Sequence, residues 1–322
     1  MKYKNLALII SSIFITLFFI EIFLYIDNKN FYEPKYIFKT FSGKNFKINS
    51  TIYDEDRDDK IILFGDSFML GSKCGSSKNL PGMIAENLKY KYQVINFGQP
   101  ATNSIDQYLN IKRYLKEEIK PKMLILGLYS NDIHMNKSYC DFIDDLINYK
   151  FFNLDNIKAL KEFCKNNKNI SRIQTFDWHK FGITQLLNEA IIKIFYFFKI
   201  DGFNTRLQFY NDLNDTNSLE YKLFIYSLIK INEILEANNI KNYMFFFPNA
   251  EDLNIDNDIS DSYKDIKKYL RVNFNIEIAN GYSFFNKQKK ISMTASTLDK
   301  HPNCKYYKTI YDYMNYNNII IN

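Results

Sequence analysis

The chain has 322 residues, 46% of them hydrophobic and 17% aromatic, with only 10 glycines and 6 prolines. That is enough apolar side chain for a sizeable core, and it excludes a disordered or fibrous protein. The net charge of +6 is spread out, with no dense basic stripe interleaved with aromatics, so nucleic acid is excluded as the expected partner.

After Met1-Lys2-Tyr3-Lys4, residues 6–26 are apolar except for Glu21, close to the ~20 residues that span a bilayer as a helix. Lys2 and Lys4 keep residues 1–5 in the cytoplasm. No small-x-small cleavage site follows the run, which favours an uncleaved single-pass anchor over a removed signal peptide. Everything beyond it is then expected on the exported side of a membrane, periplasmic or extracellular. Residues 27–59 read as a polar, aromatic-studded linker, partly packed on the domain that occupies 60–322.

The domain opens with Lys60-Ile61-Ile62-Leu63-Phe64, a short apolar run expected of a strand buried on both faces. Gly65 stops it, and Asp66-Ser67 follows. Gly-Asp-Ser is also a plain turn sequence. At the carboxyl edge of a parallel sheet, however, such a serine is placed where open α/β folds hold their ligands, which makes Ser67 a candidate nucleophile. A helix is expected over residues 80–89, then a strand over 93–97 ending at Gly98, a helix over 105–119 and a strand over 123–127. Leu128-Tyr129-Ser130-Asn131-Asp132 follows that third strand.

From 133 to about 215 the alternation gives way to an insertion too long for an ordinary connection. Within it, residues 183–200 carry apolar side chains at helical spacing; a packed amphipathic helix is the base expectation, a membrane-lying or lid helix the alternative. The alternation resumes with a helix over 219–238, a strand over 243–247, a helix over 261–272 and a closing helix over 306–316. Strands alternating with helices imply a parallel sheet with right-handed crossovers.

Before the closing helix lies Asp299-Lys300-His301-Pro302-Asn303. Side chains two apart share a side only in extended backbone, and Pro302 keeps His301 out of helical geometry. The other two histidines have ordinary readings: His134 as a solvated loop residue able to line the cleft, His179 as packing or loop beside Trp178. No histidines or cysteines pair at metal-ligand spacing, so no metal is implied, and no phosphate-binding glycine pattern is completed. Asp66 and Asp132 are expected to accept backbone hydrogen bonds that hold their turns. Cys74, Cys140, Cys164 and Cys304 allow three pairings: Cys140 with Cys164 is the most local, Cys74 and Cys304 follow Ser67 and His301, and free buried thiols are equally open.

Ser67, Gly98, Asn131 and His301 thus lie in four blocks whose order resembles that of the SGNH hydrolases, the GDSL esterase family. Asn96-Phe97-Gly98-Gln99-Pro100 and Asp106-Gln107-Tyr108 further resemble a membrane-anchored bacterial branch linked to polysaccharide O-acyl modification. The resemblance implies a flavodoxin-like α/β/α sandwich around a central, mainly parallel five-stranded sheet. It implies catalytic Ser67 as nucleophile, His301 as general base and Asp299 as orienting acid, although many members place more residues between acid and base. The oxyanion hole would be the backbone N–H groups of Ser67 and Gly98 with the Asn131 amide. No cofactor is implied. The substrate implied is an acylated carbohydrate, an O-acetyl ester of an envelope or secreted polysaccharide foremost, hydrolysed through an acyl-serine. An acyltransferase, a lipase or lysophospholipase, and a non-catalytic glycan-binding scaffold are the alternatives.

Overall fold

In a computed structural model of the chain, the described residues are 12, 15–19, 37–41, 44–48, 59–71, 74–75, 77–89, 91–100, 102–117, 120–133, 140, 152, 154–167, 213–248, 258–285, 293 and 301–320. The chain divides into two compact units, Met1–Tyr32 with Asn169–Thr205, and Glu33–Lys168 with Arg206–Asn322. Of the first unit only a helical stretch is described, on which Ile15, Leu17, Phe18 and Phe19 are exposed. No helix among the described residues is long and apolar enough to cross a membrane. The expected anchor at 6–26 and the expected helix at 183–200 lie largely or wholly outside the described residues.

The second unit begins with an antiparallel hairpin, β1 (Ile37–Phe41) and β2 (Lys44–Ile48), in register Ile37 to Ile48 and Phe41 to Lys44. This pairing sits inside the stretch read as linker. Its sequence signal is Ser42-Gly43, a two-residue connection between runs of strand-forming residues.

The sheet that follows is parallel throughout. Its strands are β3 (Lys60–Phe64), β4 (Gln93–Asn96), β5 (Met123–Leu128), β6 (Lys241–Phe246) and β7 (Ile278–Asn280). The spatial order is β4-β3-β5-β6-β7. The helices of this unit, in chain order, are α1 (Ser67–Leu70), α2 (Leu80–Asn87), α3 (Ser104–Glu117), α4 (Leu154–Asn167), α5 (Leu219–Ala237), α6 (Asp258–Phe274), α7 (Tyr282–Phe285) and α8 (Cys304–Tyr316).

Because side chains alternate across a strand, each apolar strand feeds two cores. Ile62, Phe64, Leu124, Leu126, Met244 and Phe246 face one side, with Ile105 and Ile111 of α3, Phe224 and Leu228 of α5 and Leu270 of α6. Ile61, Leu63, Ile125 and Phe245 face the other, with Ile84 of α2 and Tyr306, Tyr307 and Ile310 of α8. Each such buried side chain contributes about 1.5–3 kcal/mol relative to exposure, which is why the strands needed no polar face. The result is the expected three-layer α/β/α sandwich, with all five strands parallel.

The crossover from β3 to β4 runs through α2 on one face, and that from β4 to β5 through α3 on the other. The strand order therefore reverses between β3 and β5. Chain ends at such a reversal diverge and leave a crevice at the carboxyl edge, the place where open α/β sheets bind ligands. Ser67 follows β3 and Asn131 follows β5, both at that edge.

Candidate active site

Ser67 is the first residue of α1. Asp66 caps that helix: it is extended, and its Oδ1 accepts the Phe68 N–H at 2.8 Å. A buried aspartate in this position is explained by the cap, since a first-turn N–H has no partner within its own helix. The other end of α1 is held by Asn96, whose Nδ2 donates to the carbonyls of Met69 at 2.9 Å and Leu70 at 3.2 Å. Asn96 is fully buried at the end of β4, so the neighbouring strand fixes the helix that presents the serine.

His301 stands at the same edge from the other end of the chain. Its Nε2 lies 3.1 Å from Ser67 Oγ, hydrogen-bond distance, and both residues are half-buried. Pro302 and Asn303 separate His301 from α8, and Asn303 caps that helix by accepting the Tyr306 N–H at 3.1 Å. Tyr307 Oη donates to the Phe68 carbonyl at 2.6 Å, joining α8 to α1. The Phe68 ring is stacked on Tyr129 with centroids 3.7 Å apart and lies 5.9 Å from the His301 ring. The imidazole therefore works beside an aromatic wall.

Gly98 follows β4 two residues after Asn96. Its N–H donates to Asn96 Oδ1 at 2.9 Å, within its own turn. What the position requires is the missing side chain: a Cβ there would lie 2.8 Å from the Met69 carbonyl carbon and run into the Leu70 nitrogen. Gly65 is needed for the same reason, since its Cβ would lie 2.8 Å from the Gly127 carbonyl oxygen.

Asn131 lies in a 3-10 turn, Ser130–Ile133, directly after β5, and its side chain is outside the described residues. Asp299, His134 and His179 also lie outside them. Beside Asn131, Asp132 is fully buried and accepts the Tyr129 N–H at 2.7 Å and Gln107 Nε2 at 3.0 Å. Both Asp66 and Asp132 thus hold turns, as expected. Burial pushes the Asp132 carboxyl well above the usual range, the nearby charge of Asp66 adds to this, and the two donated bonds oppose it.

The cysteines form two bridges. Cys140–Cys164 lies within the insertion and ties Cys140 to α4, and Cys74–Cys304 joins the segment after α1 to the first residue of α8. Among the described residues no cluster of His, Cys, Asp or Glu side chains is placed to hold a metal ion. The contributions of Asn96 and Tyr307 were not signalled in the sequence, because each acts through a backbone carbonyl far away in the chain.

No protein-family model and no curated protein matches the sequence. Among solved structures, the chain is similar to a member of the lipolytic G-D-S-L family from Veillonella parvula, at 13% identity and a TM-score of 0.42, covering 80% of this chain and 96% of that one. It is similar to the psychrotrophic esterase EstA from Pseudoalteromonas at 12% identity and a TM-score of 0.43, covering 81% and 97%. It is similar to TesA at 10% identity and a TM-score of 0.42, covering 81% and 98%.

Proposed function

We propose that the protein is a serine esterase that cleaves O-acyl esters through an acyl-serine intermediate. The observation that carries this reading is the 3.1 Å approach of His301 Nε2 to Ser67 Oγ at the carboxyl edge of the sheet. A serine hydroxyl is inert at its own pKa, and a neutral imidazole within hydrogen-bond reach is the group that activates it.

In the first half-reaction Ser67 Oγ attacks the acyl carbonyl while its proton passes to His301 Nε2. The carbonyl oxygen becomes an oxyanion, for which the Ser67 N–H and the Asn131 amide are the proposed donors. Gly98 would join them only by giving up its bond to Asn96. Collapse of the tetrahedral intermediate breaks the ester C–O bond, and the imidazolium returns its proton to the departing alkoxide. Water then attacks the acyl-serine, giving its proton to Nε2, and the carboxylic acid leaves as Ser67 regains a proton. Asp299 is the proposed partner of the imidazolium.

The proposed substrate is an O-acetylated polysaccharide outside the membrane to which residues 6–26 anchor the chain. Support for the exported side comes from the two disulfides, which persist in oxidising compartments. The test is release of p-nitrophenol from p-nitrophenyl acetate, and of acetate from acetylated glycans with and without acceptor sugars. Turnover of the simple ester, lost in Ser67→Ala, is the expected result. A folded protein with no turnover of any of these esters would refute the esterase. Acetyl transfer to an acceptor without hydrolysis would make it a transferase.

A further inference from the structure

The two disulfides differ in what they connect. Cys140–Cys164 spans 24 residues, whereas Cys74–Cys304 spans 230. Cross-linking stabilises a fold through its unfolded state, more so for the longer loop, and that gain depends on loop length and not on which residues of the site the bridge lies beside. Cys74 is buried just beyond α1, the helix that starts with Ser67. Cys304 opens α8, with only Pro302 and Asn303 between it and His301. The bridge therefore joins the chain just after the nucleophile to the chain just after the base, with Cα atoms 5.2 Å apart.

We propose that the Cys74–Cys304 disulfide is a positioning bridge that keeps His301 Nε2 at the Ser67 hydroxyl, with the Tyr307 hydroxyl as its noncovalent companion. The proposal rests on reading Ser67 and His301 as nucleophile and base. Ser67 is fixed from β3 and β4, through the Asp66 cap and the Asn96 bonds to Met69 and Leu70. His301 belongs to no strand, and its position relative to Ser67 is set by how α8 is seated. Among the described residues, four contacts hold the start of α8: the disulfide, the Tyr307 hydroxyl on the Phe68 carbonyl at 2.6 Å, the Tyr306 hydroxyl on the Pro248 carbonyl at 2.6 Å, and the Asn303 N–H on the Met293 carbonyl at 3.0 Å. Two of the four end on or beside α1 and one on the segment after β6, so the base is referenced to the nucleophile directly as well as through the sheet. Proton transfer is sensitive to that reference, because a misplacement of about 1 Å can lower a rate by on the order of a hundredfold.

The test uses the full chain with both cysteines of the bridge replaced, Cys74→Ser with Cys304→Ser, beside Tyr307→Phe and a control pair, Cys140→Ser with Cys164→Ser. Three readouts are taken: kcat and KM on p-nitrophenyl acetate, the rate of labelling by a fluorophosphonate, and the ring 15N–1H resonances of His301, assigned by their loss in His301→Gln. The bridge variant should lose about ten- to a hundredfold in kcat and in labelling rate with KM within about twofold. Its His301 resonances should move, while the control pair keeps wild-type values in all three. Tyr307→Phe, which removes one oxygen and keeps the ring, should show a smaller loss of the same kind. If the bridge variant does not fold, Tyr307→Phe decides: wild-type kcat and unmoved His301 resonances would overturn the proposal. A folded bridge variant with wild-type kcat, or a control pair equally impaired, would also overturn it. If the wild type reacts with neither reagent, the esterase reading fails separately, and His301 resonances unchanged in the bridge variant would overturn the positioning role.

Discussion

The turns that hold Ser67 and His301, the proposed nucleophile and base, are built on opposite principles. Around Ser67 the fixing groups are the ends of neighbouring strands: Asp66 caps α1 from within the same turn, and Asn96 grips its carbonyls from β4. Around His301 they are attachments between distant parts of the chain, the Cys74–Cys304 bridge and the Tyr307 hydroxyl on the Phe68 carbonyl. A serine presented by a sheet edge is held by the fold itself, whereas a histidine just ahead of α8 is placed by how that helix is attached. The difference teaches which changes should destroy chemistry, which should destroy the fold, and which should detune one against the other.

The largest effect is expected at the meeting point of the two turns. Ser67→Ala should lower kcat on p-nitrophenyl acetate by on the order of 10^4 or more with the melting temperature nearly unchanged. A residual rate near the wild type's would place the nucleophile elsewhere. Gly98→Ala comes next, through the nucleophile turn alone. Its Cβ meets backbone atoms of Met69 and Leu70 that cannot swing aside, so chemical denaturation should show a loss of about 1–3 kcal/mol together with lower kcat. An unaltered midpoint would mean that the turn yields without cost.

Asn96→Ala sharpens the same side of the comparison. It removes the donors to the Met69 and Leu70 carbonyls and the acceptor of the Gly98 N–H, all buried. About 1–3 kcal/mol of stability should go, because buried partners are left unmet, and a neutral result would show that water replaces the side chain. The smallest effect is a pH slope at Asp132. Burial raises its carboxyl in the folded state, so the native protein keeps a proton that the unfolded chain has already released. The stabilisation is present below the usual carboxylate range and is lost as pH rises through the raised value. Asp132→Asn should flatten that part of the melting-temperature profile; an identical slope in both proteins would assign the titration to another group.

Legibility in the sequence followed the same division. Strands such as Lys60–Phe64 and Met123–Leu128 stood out because burial on both faces leaves them apolar throughout, apart from the opening Lys60. Ser67 stood out because the glycine that stops β3 lies two residues before it. The strand β7 did not: Ile278–Asn280 is too short for any periodicity. The close packing at Gly98 was not legible, because sequence reports that a glycine is present but not which backbone its missing Cβ would meet. The Cys74–Cys304 pairing was one of several open choices, since contact between residues 230 apart is decided by the packing of α8 and leaves no local trace. Tyr307 was legible only as part of the closing helix, because its hydroxyl bonds a carbonyl 239 residues away in the chain.

The central claim is that Ser67 is an activated hydroxyl, and covalent capture by a fluorophosphonate followed by peptide mass spectrometry of the intact chain tests it most directly. The account predicts a single adduct on the peptide carrying Ser67, absent in Ser67→Ala and formed much more slowly in His301→Ala. A folded wild-type protein that takes up no label, or takes it up equally fast without His301, would contradict it.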